Sequence, residues 1–145
     1  MNTRETLKIN SKGHLEIGGC DTVELAARFG TPLYVFDEKY IRDMMRVYRD
    51  TIENEYDGKG LVLYASKAFS CLAMYRIAAQ ENIGADVVSG GELYTALKAG
   101  FPAEKIYMHG NNKLPAELKY AVASGVGTIV LDAYDEADML DELCA

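Results

Sequence analysis

Four short apolar runs at nearly equal spacing constrain this chain more than any other feature. They open at about residues 61, 84, 105 and 128, in steps of about 23, 21 and 23 residues. Helix-forming sequence follows each run, and glycines Gly100 and Gly125 stop two of the helices. Strand and helix alternating at this interval give parallel strands joined by right-handed crossovers. Residues 61–65, Leu-Val-Leu-Tyr-Ala, form an unbroken apolar run, which predicts a strand buried on both faces. Residues 85–88, 106–108 and 128–131 are the next three predicted strands. Ser70 is placed to cap the first helix, and Ser89-Gly90-Gly91-Glu92 reads as a capping box for the second. Pro115 falls in the first turn of the third, and an acidic helix runs from Tyr134 to the end of the sequence.

Ahead of this alternation the pattern differs. Residues 7–17 alternate weakly, as a strand does, and Gly18-Gly19 makes a turn. Asp21-Thr22-Val23-Glu24 opens a short helix that stops at Gly30. Residues 33–36 form a predicted short strand, and Asp37 caps a long helix reaching about Tyr56. On pattern alone, five strands in 145 residues fit an open, doubly wound sheet.

Composition excludes several functions. Hydrophobic residues make up 49% and charged residues 26%, values of an ordinary globular domain rather than a disordered one. A net charge of −7 without a basic run gives no support to nucleic-acid or acidic-membrane binding. The opening residues are charged, with no leader-like apolar stretch, and no run approaches the length of a membrane span. Cys20, Cys71 and Cys144 are far apart and odd in number, so they suggest neither a disulfide framework nor a zinc site. Reduced structural thiols in a cytoplasmic protein are the expectation.

Several residues could carry chemistry. Lys67 stands two residues past the first apolar run, at the strand end where α/β folds gather function. Partial burial there would favour the neutral amine that Schiff-base chemistry needs, although a lysine snorkelling to water fits the same position. Asp86 lies inside an apolar strand, so it needs a partner: a cationic ligand, a lysine or a structural salt bridge. Residues 89–92 could offer backbone N–H groups to an anion, or simply cap their own helix. His109-Gly110-Asn111-Asn112-Lys113 puts an imidazole, two amides and an ammonium in one loop after a strand, although asparagine is also a common turn residue. His14 has no clustered partners and reads as incidental. No Walker loop, dinucleotide fingerprint, His-x-x-x-His pair or nucleophile elbow is present.

Taken in order, Gly30-Thr-Pro-Leu-Tyr-Val-Phe-Asp37, Tyr64-Ala-Ser-Lys67-Ala, Gly84-Ala-Asp-Val-Val-Ser-Gly-Gly-Glu92 and His109-Gly-Asn-Asn-Lys113 resemble the diaminopimelate decarboxylase family. The resemblance runs from about Ile9 to the end. It implies an alanine racemase-like, pyridoxal 5'-phosphate-dependent (β/α)8 barrel with a β-rich second domain. Residues 1–36 would be the N-terminal segment of that second domain. Residues 37–145 would be the first half of the barrel, about four βα units, which overrides the open sheet suggested by pattern. It further implies Lys67 as the catalytic, cofactor-bearing lysine, with Asp86, His109 and Asn111 beside the cofactor. The implied reaction converts meso-2,6-diaminopimelate to L-lysine and CO2, in a cytoplasmic homodimer with a small-molecule amino-acid substrate. A barrel takes about 250 residues, so this stretch alone is expected to be inactive. Related barrel enzymes acting on ornithine, arginine or polyamine precursors, racemases, and a non-catalytic pyridoxal-phosphate-binding protein remain the alternatives.

Overall fold

The computed structural model describes residues 6–145; the charged opening stretch lies outside them. The chain divides into two compact units, Met1–Val47 and Tyr48–Ala145.

In the first unit, β1 (Leu7–Ile9), β2 (Leu15–Ile17) and β3 (Cys20–Asp21) form an antiparallel sheet in that order. The β1–β2 turn is tied by Asn10, whose Oδ1 accepts the N–H groups of Lys12 (2.9 Å) and His14 (3.0 Å). Asp21 ends β3 and caps α1 (Thr22–Phe29), accepting from Val23 and Glu24 N–H; Gly30 closes the helix at φ 80°. His14 is not incidental. Its Nδ1 lies 2.9 Å from Asp21 Oδ2, which Asn10 Nδ2 also approaches to 2.9 Å. Eleven residues of chain separate Asn10 from Asp21, and only the folded hairpin brings the three together. Residues 33–36 form no strand. They are exposed, Tyr34 at 90%, and join neither sheet of the described residues. Asp37 then caps α2 (Glu38–Glu55), accepting from Tyr40 N–H at 3.1 Å.

The second unit carries the parallel sheet: β4 (Leu63–Ala65), β5 (Gly84–Val87), β6 (Ile106–Met108) and β7 (Thr128–Ile129). Their order in space is their order in sequence. Between them run α3 (Leu72–Gln80), α4 (Gly90–Lys98) and α5 (Pro115–Ala123), and α6 (Tyr134–Cys144) follows β7. A doubly wound sheet needs a reversal of strand order to send helices to both faces. With no reversal, right-handed crossovers leave every helix on one face, so the open-sheet expectation fails.

Burial follows this asymmetry. Ala85, Val87, Ile106 and Met108 are fully buried, and Tyr75, Leu93, Leu118 and Ala121 supply the helical side of the core. Tyr75 stacks edge-on against Tyr64 and Phe101 at centroid distances of 6.3 and 6.1 Å. The intervening residues Asp86, Tyr107 and Thr128 share one register line on the opposite face and are only half-buried. The run 61–65 is not buried on both faces. Only Leu63–Ala65 joins the ladder, and Ala65 is exposed, because β4 has one strand neighbour and helices on one side. At the other end of the strands Gly127 donates to Ala103 O (3.0 Å), and any side chain there would run into the Glu104 carbonyl. Among the described residues no helix is long and apolar enough to cross a membrane.

Candidate functional site

The C-terminal ends of β4 to β7 gather the residues with chemical potential. Just past β4 the chain tightens into a 3-10 turn, Ser66–Ala68, which carries Lys67 at its centre. Three hydrogen bonds fix the turn. Phe69 N–H returns to Ser66 O (3.0 Å), Tyr64 O–H donates to Phe69 O (2.7 Å), and the buried Ser66 Oγ donates to the Asp86 carbonyl (2.8 Å). Burial, followed by the nearby Cys71, Tyr75 and Glu92, pushes the Tyr64 phenol up to about 12, so it stays a protonated donor at neutral pH. Lys67 itself is exposed, contrary to the partial burial expected from sequence: the tight turn lifts it off the half-covered edge strand. No hydrogen bond or ion pair holds its amine among the described residues.

Asp86 sits one strand over, in register with Ala65 and Tyr107. Its Oδ1 is buried and has no hydrogen-bond partner among the described residues. An orphaned carboxylate oxygen is rare and costly, so it marks a place where a donor belongs. The nearest charge-capable group is His109, whose Nδ1 lies 3.7 Å away, beyond hydrogen-bonding distance. His109 follows β6 directly, and its N–H donates to Val87 O at 2.8 Å, extending the ladder.

The start of α4 is closed from within. Ser89 Oγ accepts Glu92 N–H (3.2 Å), and Glu92 Oε2 accepts the Val88 N–H (2.6 Å) rather than that of Ser89. Gly90 N–H goes to Glu117 Oε1 on α5 at 2.6 Å. Capping therefore accounts for residues 89–92, and the N–H groups of Val88, Gly90 and Glu92 are already taken. The first helix of the sheet unit has Cys71 at its cap position without a side-chain bond, because Ser70 Oγ turns instead toward Tyr75 OH (3.2 Å).

The loop after β6 separates its residues. Asn111 is exposed, whereas Lys113 is buried, 3.0 Å from Glu136 Oε2 on α6 and 2.5 Å from the Gly110 carbonyl. The same Glu136 oxygen accepts Asp132 N–H at 3.0 Å. Burial pushes the Glu136 carboxyl up, but the Asp132 N–H and the Lys113 ammonium more than offset this and hold it below the usual range. The structure thus brings Asp86, His109 and the Lys67 turn to one end of the sheet, and takes Lys113 out of reach of a ligand. Sequence reasoning missed Ser66, Glu117 and Glu136. Glu117 carried a readable signal, three residues past Leu114, whose N–H it accepts at 3.0 Å. Among the described residues no group of three His, Cys, Asp or Glu side chains is placed to hold a metal.

Comparisons with known proteins agree on a family of decarboxylases. The family described as pyridoxal-dependent decarboxylase, pyridoxal binding domain, matches residues 40–145. Diaminopimelate decarboxylase of Bacillus methanolicus is 54% identical over 140 residues, covering 97% of this chain and 32% of the relative. That of Bacillus subtilis is 49% identical over 139 residues, covering 96% and 31%. The crystal structure of diaminopimelate decarboxylase from M. jannaschii in complex with L-lysine superposes with a TM-score of 0.86 at 36% identity, covering 99% of this chain and 33% of that one. The chain spans about a third of the length of the curated relatives it matches.

Proposed function

Because the chain belongs to the pyridoxal-dependent decarboxylases through their pyridoxal-binding domain, we propose that the whole protein is a diaminopimelate decarboxylase, releasing CO2 from meso-2,6-diaminopimelate to leave L-lysine. The observation that carries the reading is a pair of unpartnered groups on adjacent strand ends: the Lys67 amine and the buried Asp86 Oδ1. A cofactor with an aldehyde and a protonatable ring nitrogen suits this pair, one taking the aldehyde carbon and the other a cationic donor. Lys67 is the residue that holds pyridoxal 5'-phosphate, with Asp86, His109 and Asn111 as its other contacts in this stretch. When bound, that group supplies a ring that takes up the electron pair left behind as a carboxylate departs. Asp86 contributes a fixed negative charge that stabilises a cation facing it, worth more in a half-buried site than in water. Ser66 and Tyr64 keep the lysine-bearing turn from drifting, so the amine meets its partner without an ordering cost.

The one-sided helix layer and the half-exposed face of Asp86, Tyr107 and Thr128 support the fuller architecture: the first half of a (β/α)8 barrel over residues 37–145, with that face turned inward. Residues 1–36, whose described part carries the antiparallel sheet, belong in the same proposal to a β-rich second domain. A cytoplasmic homodimer completes it.

The test is a side-by-side CO2-release assay of the full-length protein on meso-diaminopimelate, ornithine, arginine and lysine. We expect diaminopimelate to be preferred by on the order of 100-fold or more, because a site built for its distal ammonium and carboxylate leaves the carboxylate's partners unpaired with the three cationic-tailed substrates. Ornithine or arginine as the best substrate would move the protein to a neighbouring specificity.

A further inference from the structure

We propose that Lys113 is a positioning residue, whose buried ammonium, anchored by Glu136, sets His109 against Asp86 through the Gly110 peptide. Its consequence for catalysis rests on the function proposed above; the geometry does not. Lys113 is 5% exposed and Glu136 4%, so both charges have left water. Two buried charges gain little net stability over a well-packed apolar pair, and one role left to such a pair is to fix a single conformation. Here the conformation concerned is that of a loop. Lys113 Nζ lies 2.5 Å from Gly110 O and 3.0 Å from Glu136 Oε2, and that same oxygen accepts Asp132 N–H in the loop after β7. The ammonium therefore staples the loop after β6 to the loop after β7.

Gly110 transmits this constraint. Its φ is +110°, a region open to glycine, and a Cβ there would sit 3.0 Å from Val88 O. The Gly110 peptide is thus pressed against the end of β5, the strand that carries Asp86. His109 is its immediate neighbour, with Nδ1 3.7 Å from the orphaned Asp86 Oδ1. Releasing the Gly110 carbonyl from Lys113 would free Gly110 to turn about its own Cα, and that change would pass through the His109–Gly110 peptide to the imidazole and its place beside Asp86. On the other side, Glu117 ties Leu114 N–H to Gly90 N–H, so the loop can relax chiefly where Lys113 holds it.

His14 lies in the first unit and His109 in the second, so His14 serves as an internal control. Ring resonances of the full-length 15N-histidine-labelled protein, with His109 and His14 assigned from His109→Gln and His14→Gln, are compared in Lys113→Met, Glu136→Gln and the double variant Lys113→Met/Glu136→Gln. Lys113→Met leaves Glu136 buried alone and should both lower stability and shift His109. The double variant removes both charges and should recover most of the stability. It should leave His109 displaced all the same, because the Gly110 carbonyl still lacks its donor, while His14 keeps its position throughout. Recovery of the His109 resonances together with stability in the double variant would reduce the pair to a structural role and overturn the proposal. So would unmoved His109 resonances in all three variants. The double variant decides the matter if Lys113→Met fails to fold. The rings are read without cofactor or substrate, so this result and the CO2-release assay can fail independently.

Discussion

An amine that must bond to an aldehyde carbon works poorly when a carboxylate holds it as an ammonium, and the lysines of the sheet unit differ in this respect. Lys113 is locked on Glu136, Lys59 lies 3.2 Å from Asp57, and Lys98 sits over the Tyr94 ring at 5.4 Å. Among the described residues Lys67 has no such partner, and it is presented by a turn that hydrogen bonds hold at both ends. Borohydride reduction of the full-length holoprotein followed by peptide mapping should therefore place the pyridoxyl mass on Lys67. Lys67→Ala should lower turnover by about a thousandfold or more, the scale of losses when a covalent nucleophile is removed. Lys67→Arg should do no better, since a guanidinium stays protonated. A label found on Lys59, Lys98 or Lys113 would refute the assignment.

Among elements, α1 shows how a cap couples to pH. Burial pushes the Asp21 carboxyl up, but hydrogen bonds with His14, Asn10 and the N–H groups of Glu24 and Val23 outweigh it and hold the carboxyl well below the usual range. The unfolded chain therefore takes up this proton first as pH falls. The contribution is present above the ordinary carboxylate value of about 4 and is lost as pH drops toward the folded value. Hydrogen exchange at the Val23 and Glu24 amides should accelerate over that acid range relative to neutral pH, after correction for intrinsic rates. Asp21→Asn should flatten this dependence, and an unchanged acid response in that variant would assign it to other carboxylates. The helix itself was legible in sequence from Asp21 and Gly30. The His14 contact was not, because it arises across the β2–β3 pairing rather than along one element.

At the scale of the molecule, the parallel sheet and one helix layer carry the stability of the second unit. Leu118 lies on α5 at 0% exposure, within the buried layer that faces Ile106 and Met108. Leu118→Ala should cost about 2–5 kcal/mol, from lost transfer energy and the cavity left behind. Denaturant unfolding with an unchanged m-value measures this directly. A loss below about 1 kcal/mol would mean that this face is loosely packed. The opposite face behaves differently: Asp86, Tyr107 and Thr128 are half-buried, and the substitutions felt there should be those that change polarity.

The sequence by itself determined which segments became elements and in what order. Apolar runs of three to five residues, capping side chains at Asp21, Asp37 and Ser89, and stops at Gly30, Gly100 and Gly125 act over a few bonds, so they can be read locally. It also put Lys67, Asp86 and His109 at the ends of successive strands. Tertiary structure alone decided that the strands keep sequence order, so helices cover one face, and that residues 33–36 join neither sheet. It also decided that Lys67 is exposed while Lys113 is buried, that Asp86 Oδ1 is left without a donor, and that Glu117 and Glu136 close the loops. Each of these outcomes depends on groups from different strands and helices meeting across the folded unit. Periodicity fixes which face of an element is apolar, but not which neighbour that face will meet.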